Sequence, residues 1–156
     1  ASVINLVDLC NRIKGKDLDK NVSIVFTDCE ECGGLGAERL SDRINSGDYG
    51  KVLAVVNSEL TALGESFWLE SRDYLGPYLE SKMEGVDMKE KNTPFNDSVV
   101  IRSCGINSVC FGLLPTDEID IGYPETWKLC HQKADVFDKS NEDNMVKYVD
   151  FLESLI

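Results

Sequence analysis

The sequence predicts an α/β protein: a three-layer αβα sandwich around a mainly parallel sheet. Three observations predict it. Apolar stripes at helical spacing alternate with short β-rich runs along the whole chain. Two of those runs, Val22–Phe26 and Lys51–Asn57, are almost continuously apolar, as in strands covered on both faces. Finally, 156 residues without repeats, low-complexity tracts or a composition break read as a single domain, 1–156, able to bury roughly two-thirds of its unfolded surface.

The elements follow in order. Residues 2–14 place Val3, Leu6, Val7, Cys10 and Ile13 on one helical stripe, with Gly15 as a stop. A polar stretch leads into the strand Val22–Phe26. After the turn CEECGG, Ala37–Asn45 reads as a helix ended by Gly47. Lys51–Asn57 is the second buried strand and Ser66–Ser71 a shorter, alternating one. Pro77 suits the first turn of a helix over 77–84. Asp87–Pro94 reads as loop, after which Asn96 or Asp97 caps a helix ending at Gly105. Asn107–Leu113 is another strand. Residues 114–130 form an irregular connection long enough to suggest a functional loop. Asn141 caps a last helix with Met145, Tyr148, Val149, Leu152 and Leu155 on one face.

Composition narrows the partners. The formal net charge is −12, which repels phosphate backbones and argues against nucleic acid. The same field favours a cation, whether a metal ion or a substrate ammonium. No run reaches the eighteen or so apolar residues of a membrane span, and no basic-then-apolar leader precedes Ala1, so a cytoplasmic location is expected. Six cysteines in a chain of this size read as free thiols.

In an open α/β sheet, ligands bind beyond the carboxyl ends of the strands. Asp28–Gly36 lies at one such end and Asn57-Ser58-Glu59 at another, so the two loops can converge on one cleft. Cys29-x-x-Cys32 between a strand and a helix has the layout of a thiol redox pair. However, Asp28, Glu30 and Glu31 all disfavour a thiolate there. The pair reads better as small residues of a buried turn. The glycines of GGLG lack the following Gly-Lys-Ser/Thr of a phosphate loop. His131 is the only histidine, and alone it reads as a half-exposed loop residue. Two glutamates after a strand, taken alone, read as solvated helix-start residues.

The pattern D-x-E-E-x-G-x-x-G-[SA], present as Asp28, Glu30, Glu31, Gly33, Gly36 and Ala37, resembles the signature of the di-zinc aminopeptidases. That family includes the bacterial leucyl-type aminopeptidases and, more distantly, the glutaminyl cyclases. Three further stretches resemble it in order. VLAVVNSELTALG is similar to the family strand ending in Asn-Leu-Asp, which places Glu59 at a ligand position. NDSVVIRSCGINSVCF is similar to the segment leading into a core strand. KLCHQKADVFDK is similar to the segment that supplies the last zinc-binding histidine, here His131, with Asp135 four residues on.

The resemblance implies a phosphorylase/hydrolase-like sandwich and zinc-dependent exopeptidase chemistry on a peptide or N-terminal aminoacyl substrate. Glu30 would be the general base, with Glu31, Glu59 and His131 as zinc ligands and Asp28, Gly33, Gly36 and Asp135 in support. It also implies ligands that these residues do not include. The family's His-x-Asp motif and its bridging Asp lie upstream, and Ala1-Ser2-Val3 resembles the Ala-Ser-Gly that follows that Asp. Three donors are expected to hold at best one weakly bound zinc, so catalysis is expected to be impaired. A non-catalytic, peptidase-like scaffold or binding module is the alternative, and thiol redox at Cys29 and Cys32 a second.

Overall fold

The structure, a computed structural model, describes residues 1–136 and 140–156. Its helices are α1 (Ser2–Ile13), α2 (Leu35–Asn45), α3 (Gly76–Lys82), α4 (Asp97–Ser103), α5 (Glu125–Lys128) and α6 (Glu142–Ser154). Its strands are β1 (Val55–Glu59), β2 (Ser66–Leu69), β3 (Lys89–Glu90) and β4 (Ser108–Leu114), in the spatial order β1-β4-β2-β3. The β1–β4 and β2–β3 pairs are parallel and β2–β4 is antiparallel. Helices cover both faces, giving the mainly parallel α/β sandwich.

Strand β4 (SVCFGLL) is the centre, buried at every position. Its alternation assigns the two faces. Val109, Phe111 and Leu113 point into the larger core with Leu9 of α1, Leu75, Leu79 and Met83 around α3, and Tyr148, Val149 and Leu152 of α6. Cys110 and Leu114 point the other way, into a smaller cluster with Trp68 and Trp127. On that second face α4 packs on β4 and β1, and α2 packs on α4. Two caps are made as expected: Asn96 Oδ1 accepts from Ser98 N (2.9 Å) and Asn141 Oδ1 from Asn144 N (3.1 Å).

Four expectations need correction. Val22–Phe26 is not a paired strand; it is extended chain without a partner, with Val25 and Phe26 exposed. The apolar run is present, but among the described residues no strand lies against it to supply hydrogen bonds. Second, the strand expected at Lys51–Asn57 pairs only from Val55 onward and continues to Glu59. Third, α1 is rotated from the predicted stripe. It buries Asn5 and Leu9, while Val3, Val7 and Cys10 are exposed. Asn5 is drawn inward because its Nδ2 donates to Thr61 Oγ1 at 2.9 Å. Fourth, Asp87–Pro94, read as loop, contains β3, and α5 interrupts the 114–130 connection.

Candidate active site

The loop Asp28–Gly36 leads the extended segment into α2 through an unusual backbone. Cys29 is left-handed (φ 55°), Glu30–Cys32 form one 3₁₀ turn, and Gly33 is left-handed again (φ 93°). Gly33 N–H then donates to Glu30 C=O at 3.0 Å, closing the turn that carries both glutamates. At Gly36 the constraint is space. A Cβ there would lie 2.5 Å from the Asp28 carbonyl oxygen, which accepts the Gly36 N–H at 3.1 Å. Gly33, Gly36 and the Asp28 backbone therefore set where Glu30 and Glu31 emerge.

Glu59 ends β1 opposite Gly112 of β4. Asn57 Nδ2 donates to Glu59 Oε1 at 3.1 Å and so holds the carboxylate in place. Burial raises the Glu59 pKa; Asn57 counters this, and the charges of Glu30, Asp97 and Glu31 add to the rise. Glu30 is also raised, first by burial, then by the negative charges of Glu31 and Asp97, against a lowering by His131. Four acids from a turn, a strand end and a helix start thus share one electrostatic neighbourhood. Crowding of this kind is typical of functional sites, because burial and neighbouring negative charge both disfavour ionisation.

His131 joins the group from the far side. Its Nε2 stands 2.9 Å from Glu31 Oε1, both side chains about 70% exposed (72% and 70%). The structure therefore brings together Glu30, Glu31, Glu59 and His131, although 100 residues of sequence separate the pair from the histidine. Asp135 lines the same cleft from the turn after His131, its N–H donating to Gln132 C=O at 3.0 Å. Among the described residues the only non-glycine left-handed positions are Cys29, Leu60 and His131. They adjoin Glu30, adjoin Glu59 and are the histidine itself. Strain of about 1–3 kcal/mol each, concentrated at the cleft, fits residues held for chemistry.

The cleft has a volume of about 840 Å³ and a lining both acidic and aromatic. Trp68, Trp127, Tyr123 and Phe95 line it together with the acids. Trp127 packs edge-on to Trp68 and to Tyr123, with ring centroids 5.8 Å apart in each pair. Lys91 anchors the loop that carries Tyr123. Its Nζ donates to the carbonyls of Ile119 (2.9 Å) and Ile121 and lies over the Trp127 ring. None of these was singled out from the sequence. The length of the 114–130 loop was the only signal for Tyr123 and Trp127, and nothing local marked Lys91.

Cys29 and Cys32 are exposed, so they are not small residues packed in a buried turn. Nor does the site favour a thiolate: Asp28 is the main cause of a raised Cys29 pKa.

Carboxylate and imidazole are suitable donor types for zinc. Yet among the described residues no three His, Cys, Asp or Glu side chains are grouped closely enough to hold a metal ion. Glu31 and His131 make one adjacent pair, and Glu59, on the same cleft, is tied to Asn57. The donors fit in kind and fall short in number.

The model of Peptidase family M28 matches residues 1–156, the whole chain. The chain belongs to that family. Two solved structures, both of BSAP, a zinc aminopeptidase from Bacillus subtilis, superpose on the M28 chain with TM-scores of 0.71 and 0.70. Identity is 13% and 14%, so this likeness speaks for the fold alone. They cover 97% of this chain, and the match takes in only 39% and 38% of theirs. The M28 chain therefore spans about two-fifths of those relatives. No curated protein matches it. Among the described residues no helix is long and apolar enough to cross a membrane.

Proposed function

We propose that this chain carries the acid-and-histidine part of an M28 exopeptidase centre, directed at the first peptide bond of a peptide or N-terminal aminoacyl substrate. The observation that supports it best is the 2.9 Å contact between Glu31 and His131 beside Glu30, whose pKa is raised by burial and by Glu31. Zinc held by Glu31 and His131 would supply Lewis-acid polarisation of the scissile carbonyl, but these donors do not complete a site. What the chain's own groups offer is clearer. Glu30, its pKa raised by burial and by the charge of Glu31, is suited to take a proton from water and pass it to a leaving amine. The acidic lining suits the substrate ammonium, and the aromatic lining suits an apolar side chain.

Glu30→Gln tests the assignment. Any zinc-dependent hydrolysis of an aminoacyl-p-nitroanilide is expected to fall by about 10²–10⁴-fold, with zinc affinity nearly unchanged. Hydrolysis untouched by that substitution contradicts the role. The donor shortfall favours a second reading, a peptidase-like binding module. On that reading a peptide binds the cleft and is recovered intact, with or without zinc.

A further inference from the structure

Cys29 and Cys32 bracket the two glutamates, and the proposed peptidase chemistry uses neither thiol. Both are free and exposed. We propose that they are a modification site: a disulfide forms between them, spans Glu30 and Glu31, and stiffens the turn on which both glutamates stand.

The backbone brings the two residues to bridging distance. Cys32 N–H donates to the Cys29 C=O at 3.2 Å, closing a four-residue turn. Such a turn holds its first and fourth Cα atoms within about 7 Å. A disulfide spans about 4.4–6.8 Å between Cα atoms. Cys29 is also held from the other side. Its carbonyl accepts the N–H groups of Gly34 (3.2 Å) and Leu35 (3.3 Å), which fix it in its left-handed conformation at φ 55°. The thiols already act on each other, since Cys32 adds to the rise in the Cys29 pKa after Asp28 and burial. Room is available beside them: a Cβ on Gly33 would meet no atom within 4 Å.

The co-reactant is a low-molecular-weight disulfide, such as oxidised glutathione. One protein thiolate attacks a sulfur of that disulfide, forming a mixed disulfide and expelling one small thiolate. The second protein thiolate attacks the protein sulfur of the mixed bond and expels the other small thiolate. Two protein thiols are oxidised, the small disulfide is reduced to two thiols, and the protons released go to the departing thiolates. The second step is intramolecular and needs no further encounter. Asp28, Glu30 and Glu31 slow the first attack, yet they offer a thiolate no stabilisation that would keep the pair reduced. The pair is therefore suited to close once, and not to cycle as a catalyst.

The consequence falls on the candidate site. Gly33 N–H and Gly34 N–H both donate to Glu30 C=O, at 3.0 and 2.9 Å, so their amides report how stiff the turn is. The redox poise of the surroundings then decides how rigidly Glu31 is presented to His131. Neither zinc nor hydrolysis enters the bond or its test, so failure of one leaves the peptidase reading untouched.

The test equilibrates the reduced chain with graded ratios of reduced to oxidised glutathione, traps free thiols with N-ethylmaleimide and digests with trypsin. Peptide 21–39 contains Cys29 and Cys32 and no other cysteine. It is expected to lose two hydrogens and take up no maleimide, while the exposed Cys10 on α1 is alkylated or carries a single glutathione. Amide hydrogen exchange at Gly33 and Gly34 is expected to slow about tenfold in the disulfide form, with β4 unchanged. Cys32→Ser is expected to stop at one glutathione on Cys29 and to show no slowing. The proposal is overturned if peptide 21–39 stays reduced at every ratio, keeps glutathione on both thiols, or pairs with another cysteine. Glycine amides that exchange as before in the disulfide form, loss of β4 protection, or equal slowing in Cys32→Ser would overturn it as well.

Discussion

Val22–Thr27 (VSIVFT) and β4 (SVCFGLL) are similar apolar runs with opposite fates. β4 has a strand on each edge, helices over both faces and no exposed residue. Among the described residues Val22–Thr27 has no strand beside it, and Phe26 is 55% exposed. Sequence alone made both strands. Pairing and cover decide which of them becomes one, because an unpaired β segment gains neither ladder hydrogen bonds nor full burial. Both runs end at the same acidic cleft, so the site is firm on its β4 side and open on the other.

The contrast makes graded predictions. Phe111→Ala, in the core between α6 and β4, is expected to cost about 3–5 kcal/mol in denaturant unfolding. Phe26→Ala is expected to stay within about 0.5 kcal/mol. Comparable losses at the two positions would mean that the open run is packed after all.

Arg102→Met comes next. Arg102 makes paired 2.7 Å bonds to both Glu70 oxygens and stacks on Tyr74, and Glu70 is nearly buried. Its loss leaves that carboxylate uncompensated, at about 2–3 kcal/mol after discounting for partial exposure. Restoring wild-type stability by a second change, Glu70→Gln, would confirm the cause; no rescue would point to lost packing instead.

Glu59→Gln reverses the sign. The folded-state pKa of Glu59 lies above its unfolded value, so the folded protein retains a proton that the unfolded chain has released. Stability from this group is therefore present at low pH and falls as pH rises through the folded pKa. The amide removes the penalty and still accepts from Asn57. Tm is expected to rise at pH 7.5, by about 2–4 °C per kcal/mol relieved, with no gain below the reference value of 4.5. A lower Tm at pH 7.5 would show that the carboxylate is compensated by a group outside this cluster.

How much was legible in the sequence varies by feature. The Asp28–Gly36 loop was legible because its glycines answer local demands, a left-handed φ at Gly33 and close contact at Gly36. β4 was legible because its alternation is buried on both faces. His131 was legible only through resemblance, since its approach to Glu31 depends on a turn far along the chain. The buried face of α1 was misread because Asn5 goes inward to meet Thr61, a polar contact that apolar periodicity cannot register. Lys91, Trp127 and Asp97 gained their roles from distant loops, and no nearby pattern announces them.

Zinc titration by calorimetry, on the wild-type chain and on His131→Ala, addresses the central claim most directly. Glu31 and His131 as an adjacent pair of donors short of a full site predict no more than one zinc per chain, held far more weakly than a four-donor site holds it, and lost with His131→Ala. Two tightly bound zinc ions, or binding indifferent to His131→Ala, would contradict it.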